Sequence, residues 1–139
     1  MSRLLLAALI AAAAAALAWW LQRRRPPAPT QAGFSAPTQL DRADFPRPEA
    51  RWLVAVFTSA SCGTCADTTM KAAALESDTV AVAEVEVGAA KALHRRYGIE
   101  AVPIVAVADH LGAVRASFVG PVAAAELWAA LAELRSAAD

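Results

Sequence analysis

A chain of 139 residues has room for one domain of about 100 residues plus appendages. Apolar residues make up 58% of it, but the excess is gathered at the N-terminus and cannot be credited to a core. The formal charge is zero, and from Thr38 onward 13 acidic residues face 9 basic ones, so no basic stripe tracks phosphates and nucleic-acid binding is not expected.

After a short tail at residues 1–3, residues 4–21 carry no charge and consist of Ala, Leu, one Ile and the pair Trp19-Trp20. As a helix this run spans roughly 27 Å, close to the ~30 Å hydrocarbon core of a bilayer. The two tryptophans fall at one end, where an interfacial aromatic belt places them. A single transmembrane helix is expected. The alternative, a cleaved signal peptide, fits less well, because the run leads straight into Gln22-Arg23-Arg24-Arg25-Pro26 rather than a small-residue cleavage site. Three arginines follow the span and only Arg3 precedes it, so the positive-inside rule puts the rest of the chain in the cytoplasm at the cell membrane. The bias is small, and the extracytoplasmic orientation is the alternative.

Six of the eight prolines lie between residues 22 and 50. Residues 22–37 therefore read as an extended Pro-rich linker. Leu40-Asp41-Arg42-Ala43-Asp44-Phe45 is less linker-like, with two apolar anchors and a capping Asp, and a domain is expected over 38–139.

Within it, residues 52–57 form an apolar run that reads as a buried strand and ends at the polar stretch Thr58 to Ser61. The box Cys62-Gly63-Thr64-Cys65 comes next, and then an Ala-rich helix over 66–76. Valine density makes 79–87 a second strand. Residues 89–97 read as a short helix stopped at Gly98. Strands at 104–108 and 114–119 are joined by a turn with Asp109, His110 and Gly112. A last amphipathic helix spans 122–134, with Leu127, Trp128, Leu131 and Leu134 toward the core. Helical segments between the first three strands imply parallel pairing among them, and the Gly-containing turn implies a closing antiparallel hairpin.

The chemistry is concentrated at the box. Cys62 and Cys65 are the only cysteines, and their spacing suits a reversible disulfide. Unpaired N–H groups at a helix N-terminus favour an anion, so the leading thiol loses its proton near neutral pH and becomes a nucleophile.

The strand running into Cys62-Gly63-Thr64-Cys65, the segment Tyr97-Gly98-Ile99-Glu100-Ala101-Val102-Pro103, and the hairpin closing on Phe118-Val119-Gly120 together resemble the thioredoxin family over roughly residues 38–138. The resemblance implies an α/β fold with a mixed central sheet flanked by helices. It also implies that Pro103 is cis beside the disulfide, where the backbone of Val102 pairs with an extended substrate peptide. Four positions depart from the family pattern. Ser61 stands for the usual Trp, Thr64 for the Pro inside the box, Val56 for a buried Asp, and Glu84 for the Lys that pairs with it.

These features point to a membrane-tethered thiol–disulfide oxidoreductase. Cys62 is the expected nucleophile and Cys65 the resolving thiol, while Gly63, Thr64, Val102 and Pro103 dock the substrate. Glu84 is a candidate proton acceptor, set against the plainer reading of a solvated strand-end carboxylate. The alternative is a non-catalytic, membrane-anchored binding module using the same groove. No cofactor is expected beyond the Cys62/Cys65 pair, and no metal, since His94 reads as lying on a polar helix face and His110 in a turn. A metal or cluster shared between two chains would need a dimer. The expected partners are protein thiols and disulfides with a reductase or oxidase, and the expected state is a monomer.

Overall fold

The computed structural model describes residues 33–138 together with the helical positions 12–14 and 16. Apart from those four, the span expected at 4–21 and the tether expected to follow it up to residue 32 lie outside the described residues, as does Asp139. Among the described residues no helix is long and apolar enough to cross a membrane.

A 3-10 turn at Arg42–Asp44 precedes β1 (Trp52–Thr58), α1 (Cys65–Ala73), β2 (Val80–Glu86), α2 (Lys91–Arg96), β3 (Ile104–Ala108), β4 (Val114–Val119) and α3 (Ala124–Ala137). The order matches the sequence expectation, as do the bounds of β3 and β4. Every residue of β1 is buried, because each face of this strand meets its own layer. Trp52, Val54 and Val56 pack with Ala72 of α1 and with Leu127 and Leu131 of α3. Leu53, Ala55 and Phe57 pack with Leu40 and Phe45, and with the partly buried Leu93 and Tyr97 from the α2 region. Each fully buried Val, Leu or Phe among them contributes roughly 1.5–3 kcal/mol relative to exposure. The alternation of β1 thus sorts one apolar strand into two half-cores.

The sheet order is β2-β1-β3-β4. β1 and β2 are parallel, with Val56 opposite Glu84 and Thr58 opposite Glu86. β3 runs antiparallel to β1, with Leu53 opposite Ala108 and Phe57 opposite Ile104, and β4 is antiparallel to β3. The parallel pairing expected among the first three strands therefore holds only for β1 and β2. The reason is the reach of the connections. α1 and its flanking turns carry the chain back along the sheet, whereas the six residues of α2 cover only about 9 Å. A strand of five to seven residues spans roughly 16–23 Å. α2 therefore runs only part of the way along the sheet, residues 97–103 bring the chain back to the end where β2 finishes, and β3 sets off in the opposite direction.

The opposite end of the sheet is tied to the N-terminal segment. Leu40 N–H donates to Gly112 O (2.8 Å), and Val114 N–H to Thr38 O (3.0 Å). Gly112 has φ +81°, and a Cβ there would sit 1.9 Å from Leu40 O, so glycine is required for both conformation and close approach. Arg42 is buried and donates to Ala50 O (3.0 Å), Asp109 O (3.0 Å) and Arg47 O (3.1 Å). Burial lowers its pKa from the usual value, while Glu49 and Asp109 act to raise it. Tyr97 hydroxyl donates to Asp44 and accepts from Asp41 N–H (3.1 Å), and Arg96 pairs with both carboxylates. Burial, then the bond to Asp44, raises the Tyr97 pKa.

Two further expectations are corrected. His94 is 5% exposed rather than on a solvated face. Its Nε2 donates to Val85 O (2.7 Å), and its ring meets Phe57 edge-on at 5.5 Å. An imidazole beside apolar neighbours stays buried when one nitrogen finds a backbone acceptor. Trp128 is 45% exposed. One residue beyond Leu127 it is turned about 100° around the helix, onto the rim, where its indole donates to Lys71 O (3.0 Å).

Candidate active site

The register fixes where the site lies. Phe57 pairs with Ile104, so the loop leaving β1 after Thr58 and the residue entering β3, Pro103, emerge from the same end of neighbouring strands. The Val102–Pro103 peptide is cis, Pro103 is buried, and Pro103 O accepts from Gly120 N–H (2.8 Å). The leaving loop turns tightly: Cys62 N–H donates to Ser59 O (3.1 Å), and Ser61 N–H to Ser59 Oγ (3.3 Å). Cys62 and Cys65 form a disulfide with Cα atoms 5.5 Å apart.

The two cysteines differ in position. Cys65 opens α1 and is 3% exposed, whereas Cys62 precedes the cap residue Thr64 and is partly exposed. Cys62 therefore faces the helix N-terminus rather than belonging to it. Thr64 makes no side-chain cap bond; its hydroxyl lies 3.8 Å from Cys62 Sγ. The first-turn amides are thus not occupied by the cap side chain, and the helix end retains its partial positive charge. Asp67, the acid in that turn, is paired with Lys71.

Gly63 is exposed and a Cβ on it would meet nothing within 4 Å, so the free fold does not require glycine there. Thr64 is also exposed and Val102 partly buried. Val102, Ala101, Glu100, Ile99, Val87, His94 and Ser59 line a shallow groove of about 230 Å³ beside the disulfide loop. A larger concavity of about 390 Å³ lies at the opposite end of the sheet, around Trp52, Asp109, His110 and Arg115. Of the two, only the shallow groove adjoins the disulfide loop, through Ser59.

Glu84 is exposed, directly across from Val56. Its Oε1 accepts from Thr58 Oγ1 (2.9 Å) and from Thr69 Oγ1 (3.4 Å), and Thr69 lies one helical turn beyond Cys65. It is thus exposed yet anchored in mid-strand rather than at a strand end. Among the described residues no group of three or more His, Cys, Asp and Glu side chains is placed to hold a metal ion.

One residue of the site was not singled out in the sequence. Glu86, at the end of β2, accepts from Ala60 N–H (3.2 Å) and Ala89 N–H (3.0 Å). The amides of Gly88 and Ala89, then that of Ala60, hold its carboxyl below the usual range. A strand-end acidic residue two positions before a glycine, Glu86-Val87-Gly88-Ala89, was the available signal, since a carboxylate just ahead of a glycine turn readily folds back onto the turn's amides.

No family model and no curated protein matches the sequence. Solved structures do match. A mutant thioredoxin from Halobacterium salinarum NRC-1 is 24% identical, with 68% of this chain and 89% of that one covered at a TM-score of 0.51. A structure described as a malarial protein is 17% identical, with 60% and 96% covered at a TM-score of 0.53. The fold is thioredoxin-like: a mixed sheet flanked by helices, with a disulfide-forming cysteine pair after the central strand.

Proposed function

We propose that this chain is a thiol–disulfide oxidoreductase tethered to the membrane through residues 4–21. The observation that carries the reading is the asymmetry of the disulfide, in which Cys62 is reachable and Cys65 is sealed at the start of α1. In the reducing direction, Cys62 thiolate attacks one sulfur of a substrate disulfide. A Cys62–substrate bond forms, the substrate S–S bond breaks, and the departing thiolate takes a proton. Cys65 thiolate then attacks Cys62 Sγ, which closes the Cys62–Cys65 bond and releases the second substrate thiol. Two electrons pass from the pair to the substrate, and the reverse sequence oxidises a dithiol. Glu84 accepts the proton of Cys65, a role supported by its bond to Thr69 on the same helix. Gly63 and Thr64 on one side and Val102 with Pro103 on the other receive the substrate backbone.

The full chain in detergent should catalyse reduction of insulin by dithiothreitol. Absence of turnover with every thiol donor, in a protein whose pair still cycles, would leave the anchored binding module. Retention in the membrane pellet after carbonate extraction tests the tether, and protease protection in vesicles tests the cytoplasmic placement of the domain.

A further inference from the structure

Glu86 sits where the end of β2 meets the beginning of the disulfide loop, opposite Thr58 in the register. Its carboxylate is folded back on its own turn: Oε2 accepts from Ala89 N–H (3.0 Å), and a Cβ on Gly88 would lie 2.8 Å from that same oxygen. The other oxygen reaches across to Ala60 N–H (3.2 Å). Ala60 N–H belongs to the Ser59–Ala60 peptide unit, and the carbonyl of that unit accepts the N–H of Cys62 at 3.1 Å. The chain of contacts is therefore carboxylate, peptide N–H, peptide C=O, Cys62 N–H. A negative charge on the N–H end of a peptide makes its carbonyl a better acceptor, so each bond strengthens the next.

We infer that Glu86 is a positioning residue for disulfide exchange: it holds the Cys62 backbone through the Ser59–Ala60 peptide and its charge restrains the reactivity of the Cys62 thiolate. The inference rests on the exchange reading above. Geometry and charge act in opposite senses. The carboxylate orders the loop that presents the sulfur, while a fixed negative charge two hydrogen bonds and one peptide away disfavours a second anion at Sγ. A less stable thiolate makes the pair more reducing.

Two substitutions separate these effects in the full chain. Glu86→Gln removes the charge and keeps a single acceptor oxygen, which serves either Ala60 N–H or Ala89 N–H while the NH2 faces the other. Reduced protein treated with limiting iodoacetamide at pH 6.5 should be alkylated at Cys62 about threefold faster, and the glutathione equilibrium should move toward the dithiol by a similar factor. Amide exchange at Ala60 and Cys62 should rise less than in a variant with no acceptor at all. Glu86→Ala should show the same charge effect, with amide exchange at Ala60 and Cys62 about tenfold faster and slower insulin turnover than the Gln variant. Wild-type alkylation in both variants overturns the inference, as does an equal fall in Tm for both with Cys62 unchanged, which would leave only a brace. A wild-type protein that exchanges with neither glutathione nor insulin would remove the functional reading, whereas the alkylation and amide-exchange comparisons would still decide the role of Glu86.

Discussion

The two ends of the central strand pair are held in different ways. At the β1 start, bonds join residues far apart in sequence: Arg42 to Asp109, Gln39 to Leu111, and Arg47 to the carbonyls of Ser77, Asp78 and Val80. At the β1 end, the disulfide loop is held by its own turn, through Ser59, Ser61 and Cys62, with Glu86 reaching Ala60 from outside. Long-range bonds break only when the domain opens, whereas a local turn rearranges at little cost. Stability is therefore concentrated away from the sulfur atoms, and the loop that must accept a partner is left to adjust.

The largest expected effects separate the ends by function. Cys62→Ser should abolish disulfide exchange, while Cys65→Ser should keep attack but lose resolution, so dithiothreitol-sensitive adducts with partner proteins accumulate. In the reduced wild-type protein Cys62 should be alkylated before Cys65 at pH 6.5. Equal rates, or two Ser variants that behave alike, would erase the distinction between nucleophile and resolver.

Next in size is the braced end. Arg42→Ala removes three guanidinium bonds and leaves Ala50 O without its donor, while Arg47 O keeps Ala50 N–H and Asp109 O keeps Gly112 N–H; it should cost about 3 kcal/mol of unfolding free energy. Lysine should not restore it, because an ammonium lacks the planar fork that reaches several carbonyls at once. The Cys62 alkylation rate of the folded variant should be unchanged; a change there would show that the two ends are coupled. Gly112→Ala should cost about 2 kcal/mol, from a positive φ and the collision with Leu40 O, read from denaturant midpoints.

The smallest effect is a pH dependence at the same end. Burial raises the Asp109 pKa, but bonds from Arg115, Ala113 N–H and Leu111 N–H outweigh it and hold the carboxyl below its usual value. A depressed folded pKa gives stability that is complete above the unfolded value near ~3.9 and is lost as pH falls through the lower folded one. Asp109→Asn should therefore flatten the acid limb of a Tm profile below about pH 5. An unaltered acid limb would place the titration elsewhere.

Much of this organisation was legible in the chain. The valine-rich strands and the Ala-rich helix announce themselves through side-chain type and period, and two cysteines three apart at a strand-to-helix junction mark the chemistry. His94 looks like a surface residue in the sequence because its neighbours Lys91, Arg95 and Arg96 are polar. A helix face is defined by the angle around the axis, and the acceptor that keeps His94 buried, Val85 O, comes from another element. Arg42 was read as part of a packing segment, but its carbonyl partners lie up to 67 residues away.

By itself the sequence determined which segments are strands and helices, where the turns demand glycine, and that one cysteine precedes the other at a helix start. All of these depend on interactions between residues a few positions apart. The tertiary structure alone decided the antiparallel direction of β3, the burial of Arg42 and His94, and the reach of Glu86 to Ala60. Strand direction depends on whether a connection can span the sheet, and burial of a polar group depends on a partner brought close only when the chain closes on itself.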